Sequence, residues 1–287
     1  MPDPFKFYGV LESSDAISET DKSVEEIRIS GYTVVAGVLS ESELEIIRRK
    51  LGEIYDIQVK EVGGEGPLRE INDVNVVRLL LVYDDYFLKL ATNPAVLAIV
   101  GRLLGDYYIL MQQTGIIVLP NLEHYQTSWH RDLSYRHFVS IRPLAISALF
   151  CIDDFTQESG GTHVLPASHK VEIFPSQDFF EKNQRGIIAQ AGSVLVFDSM
   201  LYHRAGYNRS TFTRRALNHI YTLPFLKQQP ISIPEALQGK FREDEFLNKF
   251  LGYESEPGKN VTQWRTAKID RARSSAETLT NSESKLE

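Results

Sequence analysis

One cysteine, Cys151, stands in a chain of 287 residues. No disulfide can form within the chain, and a cysteine-rich zinc site is excluded. Cys151 lies in the apolar run Ala148-Leu149-Phe150-Cys151-Ile152, which predicts a buried, inert thiol. Basic runs are missing as well: no stretch of lysine and arginine reaches five residues, and the formal charge is −7. Nucleic-acid binding rests on neutralising phosphates, so that class of partner is not expected. No apolar run approaches the roughly 18 residues of a membrane span. The opening MPDPFKFYGV lacks the basic-then-apolar layout of a secretory signal. A cytoplasmic protein without membrane partners is the expectation.

What is present suits one folded unit. Hydrophobic residues make up 43% and charged ones 24%, an ordinary balance for a globular protein able to bury a core without staples. A single catalytic domain is expected over 1–287. It would have a helical part at 1–106, a β core at 107–224, a helical extension at 225–267 and a flexible tail at 268–287. The first twenty residues are polar and aperiodic and read as a loose arm.

Gly31-Tyr32-Thr33-Val34-Val35 reads as a short strand. Ser40 with Glu43 predicts a capped helix start, and Leu39 with Leu44 a staple across it. Leu44, Ile47, Leu51 and Ile54 then recur at helical spacing. Asn93-Pro94 opens a second helix, with proline at its first position. Gly63-Gly64-Glu65-Gly66-Pro67 reads as a flexible loop, without the flanking strand of a phosphate cradle. From 107 onward short β-rich runs alternate with turn residues, at 107–118, 143–152, 162–166, 186–190, 193–198 and 215–223. That spacing predicts a mostly β jelly-roll, a double-stranded β-helix with helices before and after it. Phe246, Leu247, Phe250 and Leu251 restore helical periodicity after Pro234.

All seven histidines fall between residues 124 and 219, inside the β-rich part. His130-Arg131-Asp132 is the sharpest feature. On a strand, residues i and i+2 share a face, so imidazole and carboxylate would enter one cavity; on a helix they would diverge by roughly 200°. A third ligand must come from elsewhere, and His203, after the buried run Val194-Leu195-Val196-Phe197, is the best candidate. Two histidines and one carboxylate form the facial triad of non-haem iron oxygenases, which leaves half the metal's coordination sphere open. A cupin-like metal enzyme and a non-catalytic ligand-binding jelly-roll remain alternatives at this point.

The motifs in their order resemble the phytanoyl-CoA dioxygenase family of Fe(II)/2-oxoglutarate oxygenases. The resemblance runs through Gly31-Tyr32 with Gly37-Val38-Leu39-Ser40, through Trp129-His130-Arg131-Asp132, and through Ile152-Asp153-Asp154. It continues through Ser159-Gly160-Gly161-Thr162-His163, Pro166-Ala167-Ser168-His169 and Ala191-Gly192-Ser193. It ends with His203, Asn208, Ser210 and Arg214 at the spacing His-x4-Asn-x-Ser-x3-Arg. About residues 31 to 222 are covered.

That resemblance implies Fe(II), 2-oxoglutarate and O2 as the reaction's components and a small organic molecule as substrate. It implies His130, Asp132 and His203 as metal ligands. Arg214 would be the partner of the far carboxylate of 2-oxoglutarate, which suits a guanidinium's two parallel donors. Gln113, seventeen residues before His130, matches a position that touches the cosubstrate in some relatives, with Gln112 as the out-of-register alternative. One departure stands out: Ala205 occupies a position where many relatives carry a hydroxyl that anchors the cosubstrate. Thr162, Tyr125 and Ser147 are candidates to replace it. The acid at Asp132 disfavours halogenation, for which relatives have a small residue there.

Other residues receive structural expectations. Arg215 should face away from Arg214. His169 should fix a turn, His219 should be packed or hydrogen-bonded, and Trp129 should pack. Asn208 and Ser210 should shape the approach to Arg214. His163 could line the cavity or face solvent. Arg131, Tyr135 and Arg136, with His124 and His137, are placed near the substrate or in an ordinary loop.

Overall fold

The computed structural model describes residues 8–10, 14–122, 124–133 and 138–283. Its first helix, α1 (Glu19–Ser30), starts at a capping box in which Ser18 and Asp21 satisfy each other's backbone N–H groups. It ends at Gly31, whose φ of 90° only glycine takes cheaply. A Cβ there would also sit 2.6 Å from Leu201 and 2.7 Å from the His169 ring. Gly31 thus lets strand β1 (Tyr32–Val35) lie against the turn that leads to His203.

Helix α2 (Glu41–Glu61) carries the Ser40–Glu43 capping box, and Leu44, Ile47, Leu51 and Ile54 form its buried face. A six-residue helix, α3 (Glu65–Glu70), follows where a loop was expected; the loop is shorter, and Pro67 falls in the helix's first turn, where its missing N–H has no intrahelical partner to lose. Strand β2 (Val76–Arg78) and helix α4 (Tyr86–Ala91) lead to α5 (Pro94–Leu104), where the Asn93 side chain accepts from Ala95 and Val96 N–H. The β-rich part comprises β3 (Ile109–Val118), β4 (Ala145–Cys151), β5 (His163–Val164), helix α6 (Gln177–Asn183), β6 (Arg185–Gly186), β7 (Val194–Asp198), β8 (His203–Arg204) and β9 (Arg214–Thr222). Helices α7 (Ile233–Leu237), α8 (Glu245–Phe250) and α9 (Val261–Glu283) close the chain.

The strands form two antiparallel sheets, one of order β1-β7-β4-β9-β3-β2 and one of order β6-β5-β8. A single bridge between His130 and His203 extends the small sheet by one position. This is the double-layered jelly-roll expected from the strand spacing, although the helices hold 38% of the residues against 18% for the strands. The β part is therefore what positions chemistry rather than the greater part of the chain.

One face of the large sheet meets the helices: Ile117, Phe150, Val196, Leu217 and Tyr221 pack with Leu44, Ile47, Phe87, Ile99 and Val100. The other face looks inward, where Ile116, Leu149, Leu195, Phe197 and Ala216 meet Phe155, Val164 and Ile187. Strand β7 is buried along its whole length, which is why Val194–Phe197 is an unbroken apolar run. Among the described residues no helix is long and apolar enough to cross a membrane.

Three further expectations change. The loose arm ends earlier than predicted, because the Ser18–Asp21 box starts α1 at Glu19. Strands β2 and β8 went unread, being only three and two residues long. The flexible tail predicted at 268–287 is helical to Glu283, in a stretch whose alanine, lysine, arginine and glutamate favour helix.

Candidate active site

His130 and His203 face each other through reciprocal backbone bonds, His130 N–H to His203 C=O at 2.9 Å and His203 N–H to His130 C=O at 3.0 Å. Asp132 is fixed two residues on by its own N–H, which donates to Ser199 C=O at 3.0 Å. Among the described residues these three side chains form a group whose ligand atoms all lie within 4.8 Å of one another. Asp132 Oδ1 is 3.5 Å from His203 Nε2 and 4.0 Å from His130 Nε2.

The surrounding bonds set which atoms face inward. His130 Nδ1 lies 2.8 Å from Ser128 C=O, and His203 Nδ1 lies 3.0 Å from Leu201 C=O. A carbonyl only accepts, so each Nδ1 carries the proton and each Nε2 presents a lone pair. Asp132 Oδ2 accepts from Ser147 Oγ at 2.5 Å and from Asn218 Nδ2 at 3.2 Å. Its Oδ1 is left to point at the two Nε2 atoms. Two neutral imidazoles and one oriented carboxylate oxygen are the donor set that Fe(II) takes, held by outer partners of the kind metal ligands require.

The electrostatics are those of a buried carboxylate set against two imidazoles. Burial alone would raise the Asp132 pKa, but the adjoining His203 and His130 imidazoles and the Ser147 hydroxyl override it and hold the carboxyl well below its usual range. Burial lowers the His130 pKa to about 4, and repulsion from His203 adds to the effect. At His203 burial is outweighed by Asp132, which raises the pKa.

The triad opens into a cavity whose apolar walls include Ile116, Leu149, Phe197 and Ala216. Gln126, Thr162, Ala205, Arg214 and Asn218 also line it. Arg214 begins β9 opposite Val118 and is 2% exposed. Its guanidinium lies 4.7 Å from the Phe155 ring centre. Its Nε and Nη2 are buried with no hydrogen-bond partner among the described residues, and desolvation drives the pKa down to about 10. A buried cation with vacant donors, facing a cavity that already holds a metal-type donor set, fits the far carboxylate of 2-oxoglutarate. The turn before it is built by Asn208, whose Nδ2 donates to Val118 C=O at 3.0 Å and Phe212 C=O at 2.8 Å. Asn208 Oδ1 accepts from Ser210 N–H and Oγ. Gly160 and Gly206 let two loops cross beside Thr162 and Ala205: a Cβ on Gly160 would meet Tyr207 C=O at 2.4 Å.

Gln113 is a correction. It was expected to touch the cosubstrate, but its side chain lies on the face of β3 turned toward the helices. Gln113 Oε1 accepts from Leu81 N–H at 2.7 Å, and Nε2 donates to Phe87 C=O at 3.1 Å and lies 2.8 Å from His219 Nε2. A register irregularity between Leu110 and Gln112 shifts the alternation, and Gln112 shares the inward face with Thr114 and Ile116. Of the three candidates to replace the hydroxyl absent at Ala205, Thr162 lines the cavity. Ser147 is instead engaged with Asp132 and Ser199, and the Tyr125 hydroxyl accepts from Gln126 Nε2 at 3.2 Å.

The remaining residues fall as follows. Arg215 bonds Asp153 at 3.0 Å on the opposite face from Arg214. His219 is fully buried. His169 lies 3.4 Å from Arg28 C=O at the end of α1. His163 pairs with Gln184 at 3.1 Å. His124 Nδ1 accepts from Gln126 N–H at 3.3 Å. Trp129 packs between Phe174 and Phe180. Arg131 turns from the cavity to grip the carbonyls of Ser168 and Val171 and to stack on Tyr202. Tyr135, Arg136 and His137 lie outside the described residues. Asn218 and Gln126 were not foreseen. Asn218 is four positions after Arg214 on one strand, so period-two alternation alone would have placed both on the same face.

A jelly-roll with two histidines and one carboxylate converging in its interior defines the class of mononuclear non-haem iron oxygenases. The family model described as phytanoyl-CoA dioxygenase (PhyH) matches residues 27–216, and the chain belongs to that family of Fe(II)- and 2-oxoglutarate-dependent dioxygenases. It is 34% identical over 215 residues to an uncharacterised protein of Mycobacterium tuberculosis, covering 73% of this chain and 77% of the relative. The peroxisomal phytanoyl-CoA dioxygenase of Homo sapiens is 22% identical over 247 residues, with 75% and 71% covered. In fold it is similar to HygX from Streptomyces hygroscopicus with nickel and 2-oxoglutarate bound, at a TM-score of 0.59 and 17% identity over 75% of this chain and 91% of the other. It is also similar to SnoK, a non-haem α-ketoglutarate-dependent carbocyclase from nogalamycin biosynthesis, at a TM-score of 0.58 and 20% identity over 77% and 90%.

Proposed function

We propose that His130, Asp132 and His203 hold one Fe(II) and that Arg214 takes the far carboxylate of 2-oxoglutarate, with Thr162 as a further contact. The product is an oxidised small organic metabolite, with a hydroxylated natural-product intermediate the favoured case. The observation that carries this reading is the pairing of an oriented His-Asp-His donor set with a buried guanidinium whose Nε and Nη2 lack partners. A metal protein that did not use 2-oxoglutarate would leave that buried cation without a purpose. The biosynthetic setting named for one structural neighbour supports the choice of metabolite. A reducing compartment such as the cytoplasm suits a chain whose sole cysteine is buried and unpaired.

When bound, iron with 2-oxoglutarate supplies the oxidising power: one oxygen atom of O2 goes to succinate as CO2 leaves, and the other goes to the substrate C–H bond. The chain's own part is orientation. Ser147 and Asn218 hold Asp132 by Oδ2 so that only Oδ1 faces the two imidazoles. Ser128 and Leu201 carbonyls fix both rings as Nδ1–H tautomers. Arg214 sets the direction of the cosubstrate by two parallel charge-assisted bonds. Ile116, Leu149, Phe197 and Ala216 keep the intervening space apolar.

Anaerobic addition of Fe(II) and then 2-oxoglutarate tests the reading. A weak visible charge-transfer band is expected from the wild type and not from His203→Ala. A folded wild-type protein that binds Fe(II) but gives no band would refute the cosubstrate assignment.

A further inference from the structure

Asn218 holds a polar atom that no described residue satisfies. The residue is 9% exposed and lines the cavity. Its Nδ2 donates to Asp132 Oδ2 at 3.2 Å, which fixes the amide's orientation, since a flipped amide would set two acceptors against each other. Asn218 Oδ1 is consequently the acceptor end of an amide that lines the cavity, buried and without a partner among the described residues. Leaving such an atom unpaired is unfavourable, so a donor must reach it.

Among the described residues no donor reaches it. 2-Oxoglutarate offers only acceptors at neutral pH, as does the Asp132 carboxylate. Arg214 is four residues away along the same strand, roughly 13 Å at the rise of a strand. Thr114 is directly opposite on β3, yet its hydroxyl makes no bond to Asn218 Oδ1 and accepts instead from Gln112 Nε2 at 2.7 Å. The cross-strand row continues to Arg78 on β2, which faces Thr114 in register and is paired with Asp73. Gln112 and Thr114 bond each other beside Asn218, which alone of the three lines the cavity.

We infer that the cavity wall at Asn218 recognises the substrate, and that Asn218 Oδ1 accepts a hydrogen bond from an O–H or N–H group that the substrate carries close to the oxidised carbon. The substrate class is a hydroxyl- or amine-bearing molecule, not a plain acyl chain or a carboxylate presented to this wall. The inference rests on the iron and 2-oxoglutarate reading above and extends it to specificity. Asn218 serves two purposes with one amide: Nδ2 positions the metal-binding carboxylate, and Oδ1 positions the substrate beside it.

The test uses the anaerobic protein loaded with Fe(II) and 2-oxoglutarate. The probes are ring polyols and cyclic amino alcohols, each paired with its O-methyl or N,N-dimethyl counterpart, together with straight-chain carboxylates and alkanes. The band before addition reports on the iron site, and its shift on addition reports on the wall, so failure of one is separable from failure of the other. Parent alcohols or amines are expected to shift the band, and capping the donor to weaken binding at least tenfold. The hydroxyl and amine arms show which donor is used. Asn218→Leu should bring parent and capped compounds to equal affinity. Capped compounds that bind the wild type as well as their parents would overturn the inference. So would a normal band that no hydroxyl- or amine-bearing probe shifts.

Discussion

Replacing Arg214 by methionine should make the protein more stable without 2-oxoglutarate and less stable with it. The guanidinium is 2% exposed, and its Nε and Nη2 have no partner. Burial lowers its pKa from an ordinary 12.5 to about 10. At about 1.4 kcal/mol per unit, that drop costs the folded state on the order of 3 kcal/mol. A depressed base binds fewer protons when folded, so the cost is fully present below pH 10 and fades only as pH rises toward 12.5. Methionine is similar in length and needs no partner. It forfeits the contact with the Phe155 ring, which offsets about 1 kcal/mol. The ligand-free variant should therefore melt about 3 °C above the wild type, given about 1.5 °C per kcal/mol in a chain of this size. With Mn(II) as an oxygen-inert metal and 2-oxoglutarate at a hundredfold excess over Kd, the wild type should gain about 2.7 kcal/mol and the variant nothing. Thermal melts of both proteins, with and without 2-oxoglutarate, read all four values. A ligand-free variant that melts well below the wild type would show that Arg214 is a satisfied structural cation, and a full ligand shift in the variant would remove it from the cosubstrate site.

Two further substitutions probe neighbouring parts of the fold. Gln113→Leu deprives Leu81 N–H and Phe87 C=O of their partners, so urea unfolding should show a loss of about 2–4 kcal/mol, while the remaining folded protein binds 2-oxoglutarate with unchanged Kd; a selective loss of that affinity would return Gln113 to the site. Asp198 is 3% exposed, and burial raises its pKa from 3.8 to about 6. Its contribution to stability falls as pH rises from about 4 to 6, because the folded state there holds the extra proton. Asp198→Asn keeps an acceptor for Met200 N–H and should gain up to about 3 kcal/mol at pH 8, the gap closing below pH 4. A gap of the same size in urea titrations at pH 4 and pH 8 would refute the assignment.

What the sequence made legible is what local pattern encodes. The Ser40–Glu43 box, the Asn93-Pro94 start and the run at Val194–Phe197 each name an element by nearest neighbours, and each is found where expected. His130, Asp132 and His203 were legible because ligand chemistry restricts residue type and spacing at once. The strands of two and three residues were not, since β2 and β8 exist only through their pairing partners. Gln113 was misplaced for a related reason. Its face depends on one irregularity between Leu110 and Gln112, and a shift of one residue exchanges the two faces of a strand. Ser147 was noticed for its hydroxyl but given the wrong partner, because its neighbour Asp132 is fifteen residues away and meets it only in the fold.

Strand β9 shows how the precision of such a site arises. Its inward residues Arg214, Ala216 and Asn218 line the cavity, and each lies between outward residues that are tied down. Arg215 is held by Asp153, which Arg48 of α2 also grips. His219 meets Gln113, and the Tyr221 hydroxyl donates to Ala91 C=O at the end of α4. The helical layer, which among the described residues contributes none that line the cavity, thus fixes the strand that carries Arg214 and the amide beside Asp132. Positions that do chemistry on loops must be immobilised one at a time. Here alternation on one strand transfers the rigidity of a packed face to the opposite, hollow one. The helical flanks, expected from sequence to precede and follow the β core, back the strand whose other face borders the cavity.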